Sequence, residues 1–217
     1  MYEALLKNLQ KHGITLVAVS KTHPVERILE LYQRGQRDFG ENRVQELLEK
    51  APHLPADIRW HLIGHLQTNK VRYIAPFIYM IHSVDSLRLL AEIEKQAAKA
   101  GRTIDCLLQF HIAEEETKFG LSEDEADALL QSQEYQAMRH VRICGVMGMA
   151  TFTDNTDQVR AEFRHLRSIF ERLRVRYFAH APHFREISMG MSSDWQIAVE
   201  EGSTIVRIGS LIFGPRS

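Results

Sequence analysis

A lysine that closes an apolar β-rich run is a candidate for condensing with a carbonyl, and Lys21 stands in that position after Leu16–Val17–Ala18–Val19–Ser20. Burial at the end of a strand disfavours an ammonium and lowers a lysine pKa, and a neutral amine is what condensation with an aldehyde requires. A plain surface lysine fits the same local residues equally well. A second group lies near the C-terminus, where Ser188–Met189–Gly190–Met191–Ser192 and Arg207–Ile208–Gly209–Ser210 each follow a short β-rich run and lead into a helical pattern. Small residues let phosphate oxygens approach the backbone, and a helix N-terminus offers free amides. Tight turns chosen for packing would produce the same pattern. Arg207 itself sits in Thr204–Ile205–Val206–Arg207–Ile208, where alternation turns it to the side of Ile205 if Val206 and Ile208 face helices. A guanidinium enclosed there needs a partner, either a ring nitrogen of a bound group or a carboxylate such as Glu41 or Glu186.

Elements that could bring residues 21 and 188–210 together are legible along the whole chain. Strands are predicted near 16–20, 37–39, 60–63, 79–83, 105–111, 142–146, 185–188 and 204–208, with amphipathic stretches between nearly every pair. Pro24 opens a helix over 25–34 before Gly35, Asp85 caps one over 86–99 before Gly101, and Ser122 with Glu125 reads as a capping box. Asp154 or Thr156 starts a long charged helix reaching Tyr177, and 51–59, with two prolines, is the one loop-like insertion. Eight βα units fit an α/β chain of 217 residues as a single (β/α)₈ TIM barrel over 1–217, with an extra N-terminal helix over 1–12. The rival, an open doubly wound sheet, would ordinarily place a glycine-rich turn after the first strand, where Ser20–Lys21–Thr22 stands instead. In a barrel the C-terminal strand ends build the site, and the residues there are small and polar: Gly40–Glu41–Asn42, Gly64–His65, His82–Ser83, His111 and Gly145–Val146–Met147–Gly148 join the groups above.

Composition removes several classes of partner. With 27 Lys and Arg against 28 Asp and Glu, the formal net charge of −1 supplies no global field for nucleic acid or an anionic membrane. No apolar run approaches the roughly 20 residues that span a bilayer, and 1–12 lacks the features of a signal peptide, so a cytoplasmic protein is expected. Cys106 and Cys144 lie in apolar runs and are expected in the core as free thiols. Although there are 11 histidines, no HExxH motif occurs, and His61 and His65 straddle a strand end, which is not zinc-ligand spacing. Glu114–Glu115–Glu116 reads as a solvated loop balanced by Lys118.

Taken in order, Ala18–Val19–Ser20–Lys21–Thr22, Phe39–Gly40–Glu41–Asn42–Arg43–Val44–Gln45–Glu46, Trp60–His61–Leu62–Ile63–Gly64–His65–Leu66–Gln67–Thr68–Asn69–Lys70, Glu115–Glu116–Thr117–Lys118–Phe119–Gly120–Leu121, Gly145–Val146–Met147–Gly148–Met149, Ser188–Met189–Gly190–Met191–Ser192 and Val206–Arg207–Ile208–Gly209–Ser210 resemble the pyridoxal phosphate homeostasis proteins. The resemblance spans nearly the whole chain. It implies a barrel similar to the N-terminal domain of alanine racemases, with pyridoxal 5′-phosphate (PLP) held as a Schiff base on Lys21. It further implies that Ser188, Ser192, Gly209 and Ser210 help hold the phosphate, that Arg207 faces the pyridine nitrogen, that Asn42 and Met189 neighbour the ring or phosphate, and that Gly190 belongs to the cofactor-binding set. Two departures stand out: His23 replaces a basic or amide residue, and His111 replaces an asparagine and is expected to be the nearer of the two to the cofactor.

The resemblance implies a PLP carrier in vitamin B6 homeostasis, not an enzyme, with PLP-dependent apo-enzymes as possible recipients. An arginine at the pyridine nitrogen weakens the ring as an electron sink, and racemases built this way use a second acid–base residue from another domain or subunit. Two other functions remain open on sequence: a small PLP-dependent racemase or lyase using Lys21 as base, and a Schiff-base aldolase for a phosphorylated sugar. The lack of a long exposed apolar stripe favours a monomer.

Overall fold

The Val-, Ile- and Leu-rich runs form the parallel strands that the alternation predicts. The structure, a computed structural model, describes residues 1–116 and 119–215. Among these residues, eight strands pair in chain order and close: β1 (Thr15–Val19), β2 (Asp38–Glu41), β3 (Arg59–Leu62), β4 (Met80–Val84), β5 (Ile104–Gln109), β6 (Val141–Met147), β7 (Glu186–Ser188) and β8 (Ile205–Ile208). Closure is made by β1 on β8, with Val17 opposite Arg207. The helix Tyr2–Lys11 precedes β1, as expected. Thr117 and Lys118, which belong to one of the sequence motifs and to the supposed balance of the acidic run, lie outside the described residues.

Side-chain alternation divides the strands into two environments. Ile205 packs with Val17, Met80, Leu107, Cys144 and Met147 inside the barrel, whereas Val206 and Ile208 join the larger core between strands and helices. The sequence pattern of β8 is therefore realised, with Arg207 inward. Cys106 is in the outer core and Cys144 in the inner one, both buried free thiols.

Helix starts differ in detail from the sequence reading. Asp85 does not cap the helix Leu87–Lys99; the Ser86 hydroxyl does, accepting from Leu89 N at 3.1 Å, because its shorter arm sits at the N-cap while the Asp85 carboxylate turns toward His65. The long charged helix does start at Thr156 and end at Tyr177, with the Asn155 side chain capping it by accepting from Gln158 N. Ser122 and Glu125 do form the capping box. β2 runs on to Glu41, two residues past the expected end, so Glu41 is a strand residue and shares the outward face with Phe39.

Candidate functional site

The turn that carries Lys21 is strained and braced from outside the barrel. Thr22 has φ 68°, a left-handed conformation that a β-branched residue adopts only when its surroundings impose it. Its N–H donates to Glu46 Oε1, and His23 N donates to the Ser20 carbonyl at 3.0 Å. Lys50, on the helix Val44–Lys50, joins these pieces by donating to the Ser20 carbonyl at 2.8 Å, to Glu41 at 2.7 Å and to Glu46 at 2.8 Å. Backbone on both sides of Lys21 is thereby tied to one ammonium.

Lys21 opens on a cavity of about 280 Å³ at the C-terminal end of the strands. Asn42, Ser192, Arg207, Gly209 and Ser210 share its lining, so six of the nine residues expected at the site meet there. Ser188, Met189 and Gly190 are not part of that lining. Ser188 is fully buried beneath Arg207, where its hydroxyl accepts from Arg207 Nη1 at 2.5 Å and supports the guanidinium. Gly190 has φ 103°, and a Cβ there would meet Ala198 Cβ at 2.7 Å, so backbone shape and helix packing account for its glycine. Met189 is wholly buried in the outer core.

Of the two departures, His23 lines the cavity and stacks on Phe213 at 4.8 Å, whereas His111 lines a separate recess with Gln109 and Phe119. β5 ends at Gln109, two residues short of the predicted end, so His111 lies beyond the strand. Sequence reasoning also missed Met149, Met191 and Phe152 on the lining. They are apolar residues in loops, and no spacing rule marks them.

Polar groups with free capacity converge on this space. The N–H groups of Gly209 and Leu211 point at Ser192 Oγ from 3.4 and 3.5 Å, at the start of the short helix Ser210–Phe213. Gly209 must be small, since a Cβ would lie 3.0 Å from the Val19 carbonyl oxygen. Asn42 Oδ1 is buried in the wall without a hydrogen-bond partner among the described residues. Among the described residues Arg207 meets no carboxylate at hydrogen-bond distance; it donates to Ser188 Oγ and to the Gly148 carbonyl. The two carboxylates considered from sequence are engaged elsewhere, Glu41 with Lys50 on the outer face and Glu186 with Thr204 and Arg185. Burial brings the Arg207 guanidinium down to about 10, with the field of Asp194 opposing, so it remains a cation at neutral pH.

Beneath Arg207 the barrel is polar. Ser188 Oγ lies 2.9 Å from His82 Nδ1, His82 Nε2 lies 2.8 Å from His61 Nδ1, and His61 Nε2 lies 2.9 Å from Asp38 Oδ1. Both His61 nitrogens are thus engaged within the protein, and His65 stacks on Phe119 instead of joining it. Burial pushes the Asp38 carboxyl up, but His61 and the Arg59 guanidinium outweigh it and hold it at about 2. A displacement from 3.8 to about 2 corresponds to about 2 kcal/mol of stability. Because the folded value is the lower one, this contribution is present above the unfolded value and is lost as pH falls toward 2. Urea unfolding of wild type and Asp38→Asn is expected to differ by that amount at pH 6 and to converge near pH 2; a gap independent of pH contradicts the assignment.

Comparison with known proteins agrees with this geometry. The model of the alanine racemase N-terminal domain matches residues 2–217. A pyridoxal phosphate homeostasis protein of Aquifex aeolicus (strain VF5) is 43% identical over 203 residues, covering 93% of this chain and 86% of its own. The Homo sapiens protein of the same name is 39% identical over 211 residues, covering 93% and 76%. PipY of Synechococcus elongatus PCC7942, solved with PLP bound, superposes with a TM-score of 0.83 at 37% identity over 93% of each chain. Alanine racemase from Bartonella henselae, at 16% identity and a TM-score of 0.69 over 97% of this chain and 57% of its own, shows the barrel fold alone. The chain belongs to the family of pyridoxal phosphate homeostasis proteins, built on the alanine racemase N-terminal barrel.

Proposed function

We propose that this protein binds PLP in the cavity at the strand ends and holds it as a Schiff base on Lys21, as a carrier in cytoplasmic vitamin B6 homeostasis and not as an enzyme. The observation that carries the reading is the meeting, around one cavity, of Lys21, the Ser192–Gly209–Ser210 cradle, an Asn42 Oδ1 and a buried Arg207 that, among the described residues, have no hydrogen-bond partner and no carboxylate at hydrogen-bond distance, respectively. Each fits a different part of the cofactor. The cradle amides and the Ser192 and Ser210 hydroxyls suit a phosphate, Asn42 Oδ1 suits a ring hydroxyl donor, and Arg207 suits the pyridine nitrogen. Bound PLP supplies an aldehyde with which an amine condenses, releasing water.

Arg207 donates and has no proton acceptor to offer, so it leaves the ring nitrogen unprotonated and the ring a weak electron sink. No tyrosine is among the described residues lining the cavity, and Lys21, His23 and Arg207 are its ionisable groups. That set favours storage over turnover, with apo-enzymes as recipients and a monomer as the working unit. His23 is the observation that favours a second reading, a small racemase or lyase, since it gives Lys21 an acid–base companion at the same cavity. Incubation with PLP, borohydride reduction and peptide mass mapping is expected to find one pyridoxyl group, on Lys21, while solvent deuterium does not enter the α-carbon of common amino acids. A label elsewhere removes the Lys21 assignment; sustained exchange that depends on Lys21 replaces the carrier with the enzyme.

A further inference from the structure

Arg207 is a wholly buried cation, and the chain of groups beneath it ends on a carboxylate at the opposite end of the barrel. Donor and acceptor capacity orients that chain. An arginine can only donate, so Ser188 Oγ accepts from Arg207 Nη1. The single hydroxyl proton of Ser188 then has His82 Nδ1 as its acceptor at 2.9 Å. A neutral His82 with an accepting Nδ1 carries its proton on Nε2, which points at His61 Nδ1, 2.8 Å away. His61 accepts there, carries its own proton on Nε2, and donates it to Asp38 Oδ1 at 2.9 Å. Every proton leans from the guanidinium toward the carboxylate, and no group is left with two donors facing.

We propose that His61 and His82 are positioning residues for Arg207: with Ser188 they relay the charge of Asp38 through the barrel and fix the guanidinium that faces the cavity. The proposal rests on the PLP reading above only for the consequence at the ring nitrogen. The surroundings of His82 support a neutral ring. His82 is fully buried, and burial, with the field of Arg207 adding to it, drives its pKa well below the ordinary histidine value. Around His61 stand Asp38 from β2, Arg59 from β3, Tyr79 just before β4 and His82 from β4, with the Tyr79 ring centroid 5.3 Å from its own. Around His82 stand His61, Ser188 from β7 and Arg207 from β8. Asp38 is shared, since Arg59 holds it bidentately at 2.9 and 2.8 Å, with its Nε on the same Oδ1 that His61 reaches. A chain of this kind polarises cooperatively and offsets part of the cost of burying a lone cation.

The test uses two readouts, one of which needs no cofactor. Nitrogen-15 spectra of the histidine rings in the PLP-free protein at pH 7 are expected to show His61 and His82 neutral, each with its proton on Nε2. A cationic ring, or a proton on Nδ1 of either, overturns the relay. PLP titration followed by absorbance is expected to give Asp38→Asn an affinity roughly fivefold to tenfold weaker than wild type, by loss of a charge acting through a low-dielectric chain. Arg59→Met, which removes the competing partner and leaves Asp38 to His61, is expected to stay within about twofold of wild type, since the carboxylate at the end of the chain and its contact with His61 are kept. Equal losses in the two variants mean that Asp38 acts through the fold and overturn the proposal, as does no loss in Asp38→Asn. If wild type itself takes up no PLP, the cofactor reading falls while the ring tautomers still decide the relay.

Discussion

A Lys21→Ala variant incubated with PLP and borohydride is expected to retain no pyridoxyl group and to show no imine absorbance, while keeping the thermal stability of wild type to within about 1 kcal/mol. The side chain lines the cavity and is only part-buried, so its removal leaves no void in the packed core. Noncovalent binding should survive in weakened form, because the cradle at Ser192, Gly209 and Ser210, the Asn42 acceptor and Arg207 are untouched. Loss of a covalent bond that forms reversibly is expected to raise the apparent dissociation constant by about a hundredfold, or about 3 kcal/mol. Equilibrium dialysis checks this. A variant that binds as tightly as wild type, or that is still labelled, would show that another amine takes the aldehyde. The backbone makes that outcome unexpected: the Thr22 strain at φ 68°, held by Glu46 and the Ser20 carbonyl, is spent at the residue next to Lys21 and nowhere else among the described non-glycine residues.

How far the sequence reveals this site depends on which physical rule places each residue. The period-2 pattern of β8 was enough to turn Arg207 inward beside Ile205, since alternation on a strand leaves one choice once Val206 and Ile208 face the helices. The same rule also shows why Glu41 is not its partner: β2 extends far enough to carry Glu41 on the face of Phe39, toward Lys50. What alternation does not reveal is depth. Ser188 and Ser192 look interchangeable as small hydroxyls at a strand end, yet one lies under the guanidinium and the other on the cavity wall. The polar column through His61 and His82 was equally hidden, because five strands contribute one member each, from Asp38 to Arg207, and their heights depend on barrel stagger, which no single strand encodes. That His23 and not His111 lines the cavity was hidden likewise, since β5 ends before His111.

Lys50→Met is expected to destabilise the fold by about 3–5 kcal/mol at neutral pH, the usual cost of stranding one member of a buried ion pair. Glu41→Gln is expected to cost about 1 kcal/mol or less, because it removes a charge where the Lys50 ammonium keeps Glu46 and the Ser20 carbonyl as acceptors. The asymmetry follows from burial. The Glu41 side chain is fully enclosed, with Oε1 shared by Lys50 and Ser20 Oγ and with Oε2 unpartnered among the described residues. Burial already pushes its carboxyl above the ordinary value against the pull of the Lys50 ammonium. Without that ammonium the folded value rises further, so the folded protein binds a proton more readily than the unfolded chain. Stability of Lys50→Met therefore falls as pH rises through the raised folded value, and its deficit against wild type narrows as pH is lowered from 7 toward 5. Urea midpoints of wild type, Lys50→Met, Glu41→Gln and the double variant, taken at both pH values, read the effect directly. In the double variant no carboxylate is stranded, and most of the Lys50→Met loss should be recovered. A deficit that stays constant with pH, or a double variant no better than Lys50→Met, would mean that the ammonium stabilises chiefly through the Ser20 carbonyl and Glu46, that is, through the strained turn next to Lys21 and not through the buried charge behind it.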